Sequence, residues 1–119
     1  VTHVDSSKTS VEWAKANASA SGVPSDSIRW VIEDARAYVK REIRRGEKYD
    51  GILLDPPAFG RGKKDEVWKI EEDLLPLLQS LSDIFQNSKD SFFLHHPKKS
   101  FSIYNRSTPS NYLLLLLTH

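Results

Sequence analysis

Between Val1 and Leu94, short apolar runs alternate with longer stretches in which apolar residues return every three or four positions. The short runs, Val1–Val4, Ile28–Ile32, Gly51–Leu54 and Ser91–Leu94, read as strands. The longer stretches read as helices. Val11, Ala14 and Ala18 share one helical face behind possible N-caps at Ser6, Ser7, Thr9 and Ser10, and Ser21-Gly22 followed by Pro24 ends that helix. Ala35, Val39 and Ile43 define a second helix closed by Gly46, with Lys40, Arg41, Arg44 and Arg45 on its other side, where cations suit the helix dipole. Val67, Ile70, Leu74, Leu77, Leu81 and Ile84 form the longest stripe, which Pro76 should kink or divide.

Strand and helix therefore alternate along the chain, the pattern of an α/β fold with a Rossmann-like, doubly wound, mostly parallel sheet and right-handed crossovers. Gly51–Leu54 carries no polar side chain to turn toward water, so it is expected to be a central strand buried on both faces. From His95 the periodicity breaks into a basic stretch, a Ser/Asn/Thr/Pro mixture and the leucine run Leu113–Leu117. The reading is a partial domain over 1–94 and an undetermined tail over 95–119.

Composition narrows the class. The 119 residues allow one small domain, and 39% hydrophobic content is adequate for a core. A net charge of +1 gives no global attraction to nucleic acid or membrane, so any such attraction must come from local clusters. The absence of cysteine removes disulfides, thiolate metal sites and a Cys nucleophile, and fits a reducing, intracellular setting. No apolar run approaches the roughly 18 to 20 residues that span a bilayer. The chain opens on Val1 inside strand-like sequence, which reads as an internal fragment.

The chemistry gathers at strand ends. Asp5, Asp34 and Asp55 each follow a strand, and the carboxyl ends of a parallel sheet share one edge, where open α/β sheets bind ligands. Taken singly, each acid could equally be a turn former or a helix N-cap. Asp55-Pro56-Pro57-Ala58-Phe59 says more. Neither proline has an N–H, and each holds the residue before it out of helical geometry. The turn is therefore an acceptor-only surface beside an aromatic ring, suited to a planar ring with an amino group; the alternative is a rigid turn with Phe59 in the core.

The succession Val4-Asp5, Glu33-Asp34-Ala35 and Leu54-Asp55-Pro56-Pro57-Ala58-Phe59 resembles class I S-adenosylmethionine-dependent methyltransferases, and its Asp-Pro-Pro-x-Phe form resembles the branch containing ribosomal RNA large-subunit methyltransferases. The resemblance implies S-adenosyl-L-methionine as cofactor, an RNA base as target, and a cytoplasmic or organellar location. It implies that Asp5 accepts from the donor's ribose, that Asp34 and the Ala35 N–H meet the adenine edge, and that Asp55, Pro56, Pro57 and Phe59 lie between the sulfonium and the base. Arg61, Lys63 and Lys64 follow on a glycine-containing loop and could contact substrate phosphates, the alternative being a merely solvated loop. The same resemblance calls for a first strand and a glycine-rich turn ahead of Asp5, in the middle of the sheet. Nothing precedes Val1, so an incomplete sheet lacking its middle strand is expected, with poor donor binding and no catalysis by this chain alone.

Other features carry less. His95 and His96 are adjacent and on a strand would point to opposite faces, so no metal site is expected. Trp13, Trp30 and Trp68 read as core, the alternative for Trp68, which follows the loop, being to stack on a base. A nicotinamide-dependent oxidoreductase would share the acid at Asp5 but gives no reason for Asp-Pro-Pro-x-Phe, and a fragment with no catalysis, at most an interaction role, is the third reading.

Overall fold

A computed structural model describes residues 1–61, 65–85, 92–96, 99–102 and 112–116. Its elements are β1 (Thr2–Asp5), α1 (Lys8–Ala20), β2 (Arg29–Ile32), α2 (Ala35–Arg45), β3 (Gly51–Asp55), β4 (Phe59–Arg61), β5 (Val67–Lys69), α3 (Ile70–Ile84), β6 (Phe92–His96), β7 (Lys99–Ser102) and β8 (Tyr112–Leu116). Six strands form one sheet in the order β2-β1-β8-β3-β6-β7, parallel except for the β6–β7 pair, and β4–β5 is a separate antiparallel hairpin.

The helix ends follow local chemistry. Ser7 caps α1 by accepting from the Ser10 N–H at 3.2 Å. Asp34 caps α2, and Gly46 closes it at φ +70°, a left-handed conformation that glycine adopts without a Cβ penalty. α3 runs unbroken from Ile70 to Ile84 through Pro76, so the proline does not divide the helix as its position in the stripe suggests. Val67, the first residue of that stripe, lies instead in β5.

Connections from β1 to β2 and from β2 back to β3 run in opposite directions across the sheet, so right-handed crossovers put α1 on one face and α2 with α3 on the other. The core lies on the second face. Val4, Ile52, Leu54 and Leu113 from the sheet meet Ala35, Tyr38 and Val39 of α2 and Leu77, Leu81 and Ile84 of α3, all nearly inaccessible. Each fully buried aliphatic side chain contributes roughly 1.5–3 kcal/mol, so this face supplies most of the fold's stability.

Two expectations about β3 and the tail are overturned. Leu53 is 37% exposed, so β3 is buried on one face only; α1 lies over β1 and β2. The middle of the sheet is not missing. β8, from the leucine run, sits between β1 and β3 and pairs in parallel with both, Thr2 and Ile52 each standing opposite Leu113. A pure leucine run has no period to betray a strand, but a slot flanked by two parallel strands accepts any apolar segment with free backbone groups. Trp13 departs from expectation too. It projects from α1 at 71% exposure rather than packing in the core, Trp30 is partly buried, and Trp68 is in the core at 4%.

Candidate active site at the carboxyl edge of the sheet

The register brings the strand-end acids to one edge. Val4 stands opposite Leu115 and Leu54 opposite the same residue, so Asp5 and Asp55 occupy the next row, on either side of β8. Two strand spacings of about 4.8 Å put their Cα atoms about 10 Å apart. Asp5 pairs with Ile32, and Asp34 lies just beyond that residue. The crossovers reverse direction between β1 and β3, the topological switch point at which such sheets bind ligands.

The acids differ in environment. Asp5 is fully buried, and its Oδ1 accepts from the Ser7 N–H at 2.8 Å. Its backbone carbonyl accepts from the Glu33 N–H, which ties the ends of β1 and β2 together. Asp34 is both cap and ion-pair partner: Oδ1 accepts from the N–H groups of Arg36 and Ala37 at 2.9 and 3.2 Å, and Oδ2 meets the Arg36 guanidinium at 3.2 Å. Ala35, beside it, is buried as the first residue of α2. Asp55 is partly buried at the end of β3, with Pro56 buried and Pro57 partly so.

The turn after Asp55 folds back in a way the sequence did not announce. The hairpin β4–β5 returns over it, and two of its carbonyls are taken up: Pro57 O accepts from Trp68 Nε1 at 2.8 Å, and Ala58 O from the Ile70 N–H at 3.0 Å. The hairpin has two distinct faces. Gly60 and Trp68 stand opposite each other and are buried, whereas Phe59, Arg61, Val67 and Lys69 are exposed. Phe59, at 51% exposure, is therefore presented outward and is not a core residue. Arg61 begins the turn, and Lys63 and Lys64 lie outside the described residues.

Arg36 joins these parts. Besides Asp34, its guanidinium donates to Val67 O at 3.2 Å, pairs with Asp73 at 3.8 Å and lies 5.7 Å from the centre of the Trp68 ring. Partial burial lowers its proton affinity, but the hydrogen bond and charge of Asp34, with Asp73 and Glu66, outweigh that and raise it above the usual arginine value. An arginine in a helix's first turn carries no periodic signal, so sequence reasoning passed over it; Trp68 was read as packing, with stacking on a base as the alternative, and not as a donor to the turn.

Beside Arg36 a cavity of about 260 Å³ is lined also by Lys40, Asp73, Pro76, Leu77 and Ser80. A cavity of about 300 Å³ between the end of α1 and β2 is lined by Lys15, Ala18, Val23, Ile28 and Trp30, away from the acids. Its walls hold no carboxylate, and the sheet edge at the switch point, where the acids stand, is the better site on chemistry. Among the described residues no cluster of His, Cys, Asp and Glu could hold a metal ion, and no helix is long and apolar enough to cross a membrane.

No family profile matches the chain. Curated relatives do. Ribosomal RNA large subunit methyltransferase K/L of Shewanella pealeana is 28% identical over 100 residues, which is 83% of this chain and 14% of the relative. The protein of the same name from Shewanella baltica is 29% identical over the same share of each. Among solved structures, the SAM dependent methyltransferase from Agrobacterium tumefaciens is 43% identical, with a TM-score of 0.75 over 81% of this chain and 31% of that one. SMU.776, described as a methyltransferase and solved complexed with SAH, is 27% identical at a TM-score of 0.70, over 80% of this chain and 24% of the other. The chain thus spans about a seventh of the curated relatives and about a third or less of the solved chains. By sequence and by fold alike, it is similar over four fifths of its length to one segment of the S-adenosylmethionine-dependent methyltransferases, and it has their Rossmann-like architecture.

Proposed function

We propose that this chain carries the donor-facing and target-facing edge of a catalytic domain that transfers a methyl group from S-adenosyl-L-methionine to a base of RNA, ribosomal RNA first. The observation that carries this reading is the alignment of Asp5, Asp34 and the Asp55 turn along one sheet edge at the switch point, with Phe59 turned outward beside it. The names of the relatives supply the substrate class.

The donor set fits an adenosyl group. Asp5 closes β1 with its Oδ1 held by the Ser7 N–H, at the strand-end position from which a carboxylate accepts from ribose hydroxyls in such sheets. Asp34 is engaged as cap and by Arg36, so its part at the adenine edge is to fix the first turn of α2 and with it the Ala35 N–H. The donor, when bound, supplies a strongly activated methyl group for in-line displacement. Asp55, Pro56, Pro57 and Phe59 align the target base against it, and alignment of this kind supplies much of the rate. Acceptors at the turn hold the proton or positive charge that builds on an amine as it is methylated. Arg61, Lys63 and Lys64 reach backbone phosphates, and Lys69, exposed opposite Phe59 on the hairpin, adds a further cation to that face.

The test is tritium transfer to bulk ribosomal RNA by the Agrobacterium tumefaciens relative in which this chain replaces the segment that it matches. Label should enter the RNA and be lost with Asp55→Ala. A chimaera that binds donor yet labels no RNA overturns the substrate reading.

A further inference from the structure

We infer that Trp68 and Arg36 are positioning residues for the Asp55–Phe59 turn, a role that rests on the methyl-transfer reading of that turn. A turn with two prolines lacks two of its own backbone donors, so partners from outside it matter more in fixing the direction of its carbonyls. At Pro57 that partner is the Trp68 indole, whose N–H reaches the carbonyl at 2.8 Å from a ring that is 4% exposed. Indole has a donor and no acceptor, so it can orient a carbonyl but cannot compete for an incoming amino group. One of the two lone pairs of the Pro57 carbonyl is thereby taken and the carbonyl's direction is fixed, and with it the direction of the turn beside Asp55.

Trp68 is itself held from the other side. Arg36 lies against the ring, donates to the carbonyl of neighbouring Val67 and pairs with Asp73 at the start of α3. The same guanidinium grips Asp34, the acid at the end of β2. One cation therefore joins the loop that faces the donor's base to the hairpin that aims the target turn. Lysine cannot replace it, because the planar fork of donors and the stacking face are both used.

The proposal is tested by NMR on the whole 119-residue chain. The Trp68 indole N–H should exchange with water at least tenfold more slowly than that of Trp13, which is 71% exposed and serves as internal reference. Arg36→Met should erase most of that protection. Trp68→Phe, which keeps the ring and removes the donor, should move the Ala58, Phe59 and Gly60 amide resonances and leave that of Val11 in place. Indole exchange as fast as that of Trp13, or turn resonances unmoved in Trp68→Phe, overturns the assignment. Adding S-adenosylmethionine supplies a separate arm: shifts at Asp55–Phe59 in the wild type that vanish in Trp68→Phe support positioning. A wild type with no such shifts counts against the methyl-transfer reading, while the exchange measurement still decides the contact. Should either variant unfold, the wild-type exchange ratio alone decides.

Discussion

Ile52 of β3 and Leu113 of β8 stand opposite each other in a parallel ladder, both essentially inaccessible to water. Leu113 faces Thr2 of β1 in the same way on its other side. One leucine from the end of the chain thus joins two halves of a sheet built by the beginning and the middle. Removing its side chain leaves a cavity at that junction, so Leu113→Ala should cost about 2–5 kcal/mol by urea denaturation. Leu75→Ala, on the exposed side of α3, should change stability by less than about 0.5 kcal/mol. Equal effects at both positions would mean that β8 is not held in the sheet.

The Tyr38 and Tyr49 hydroxyls share a buried hydrogen bond of 2.7 Å, with the buried Glu42 carboxyl close by. Burial first, then the Tyr38 hydroxyl and Glu42, push the Tyr49 phenol well above the usual tyrosine range. A group whose native pKa is raised keeps its proton in the folded state, so its stabilisation is complete below the unfolded value near 10 and is lost as pH rises beyond it. Tyr49→Phe should cost about 1–3 kcal/mol at neutral pH. It should also flatten the loss of stability above about pH 10, read as the urea midpoint across an alkaline series.

His3 is buried in β1, its ring edge-on to Trp30 at 4.9 Å, and its Nδ1 has no hydrogen-bond partner. Burial lowers its pKa, and the charge of Asp5 offsets only part of that. Below the unfolded value near 6.5 the unfolded chain takes up a proton that the native chain resists, so stability falls as pH drops from there toward the native pKa. His3→Leu should remove that part of the acid dependence and leave stability at neutral pH equal or higher. An unchanged midpoint-versus-pH curve in the variant would contradict the assignment.

Asp34 serves α2 as its cap and Arg36 as its ion-pair partner. Asp34→Ala should cost about 0.5–2 kcal/mol, whereas Asp34→Ser, a capping residue without charge, should recover most of it. Because Asp34 acts by fixing the first turn of α2, donor-induced shifts at Ala35 should weaken in Asp34→Ala and be largely kept in Asp34→Ser; their loss in both would contradict that role.

Much of the α/β layering was legible because amphipathic periods, caps and strand-end acids are local signals. The α2 stripe of Ala35, Val39 and Ile43, its cap Asp34 and its end at Gly46 all stand where the pattern puts them. What escaped was non-local. Leu113–Leu117 has no alternation to read, and its place is set by β1 and β3, far away in sequence. The β4–β5 hairpin hides in a stretch whose residues, Arg61 and Val67 among them, look like a loop and the first turn of a helix. Glu42, which lies outside the Ala35, Val39 and Ile43 stripe, is buried. At the site, the positions of the acids were foreseeable, but the grip of Arg36 and Trp68 on the turn depends on tertiary packing alone.

The most direct measurement is a ¹H–¹⁵N map of the 119-residue chain titrated with S-adenosylmethionine to millimolar concentration, beside an equal titration with NAD. Weak binding suffices for this readout. The account predicts shifts at the amides of Asp5, Asp34, Ala35, Asp55, Ala58 and Phe59 with S-adenosylmethionine and none there with NAD. Shifts confined to other residues, or the same response to both ligands, would contradict it.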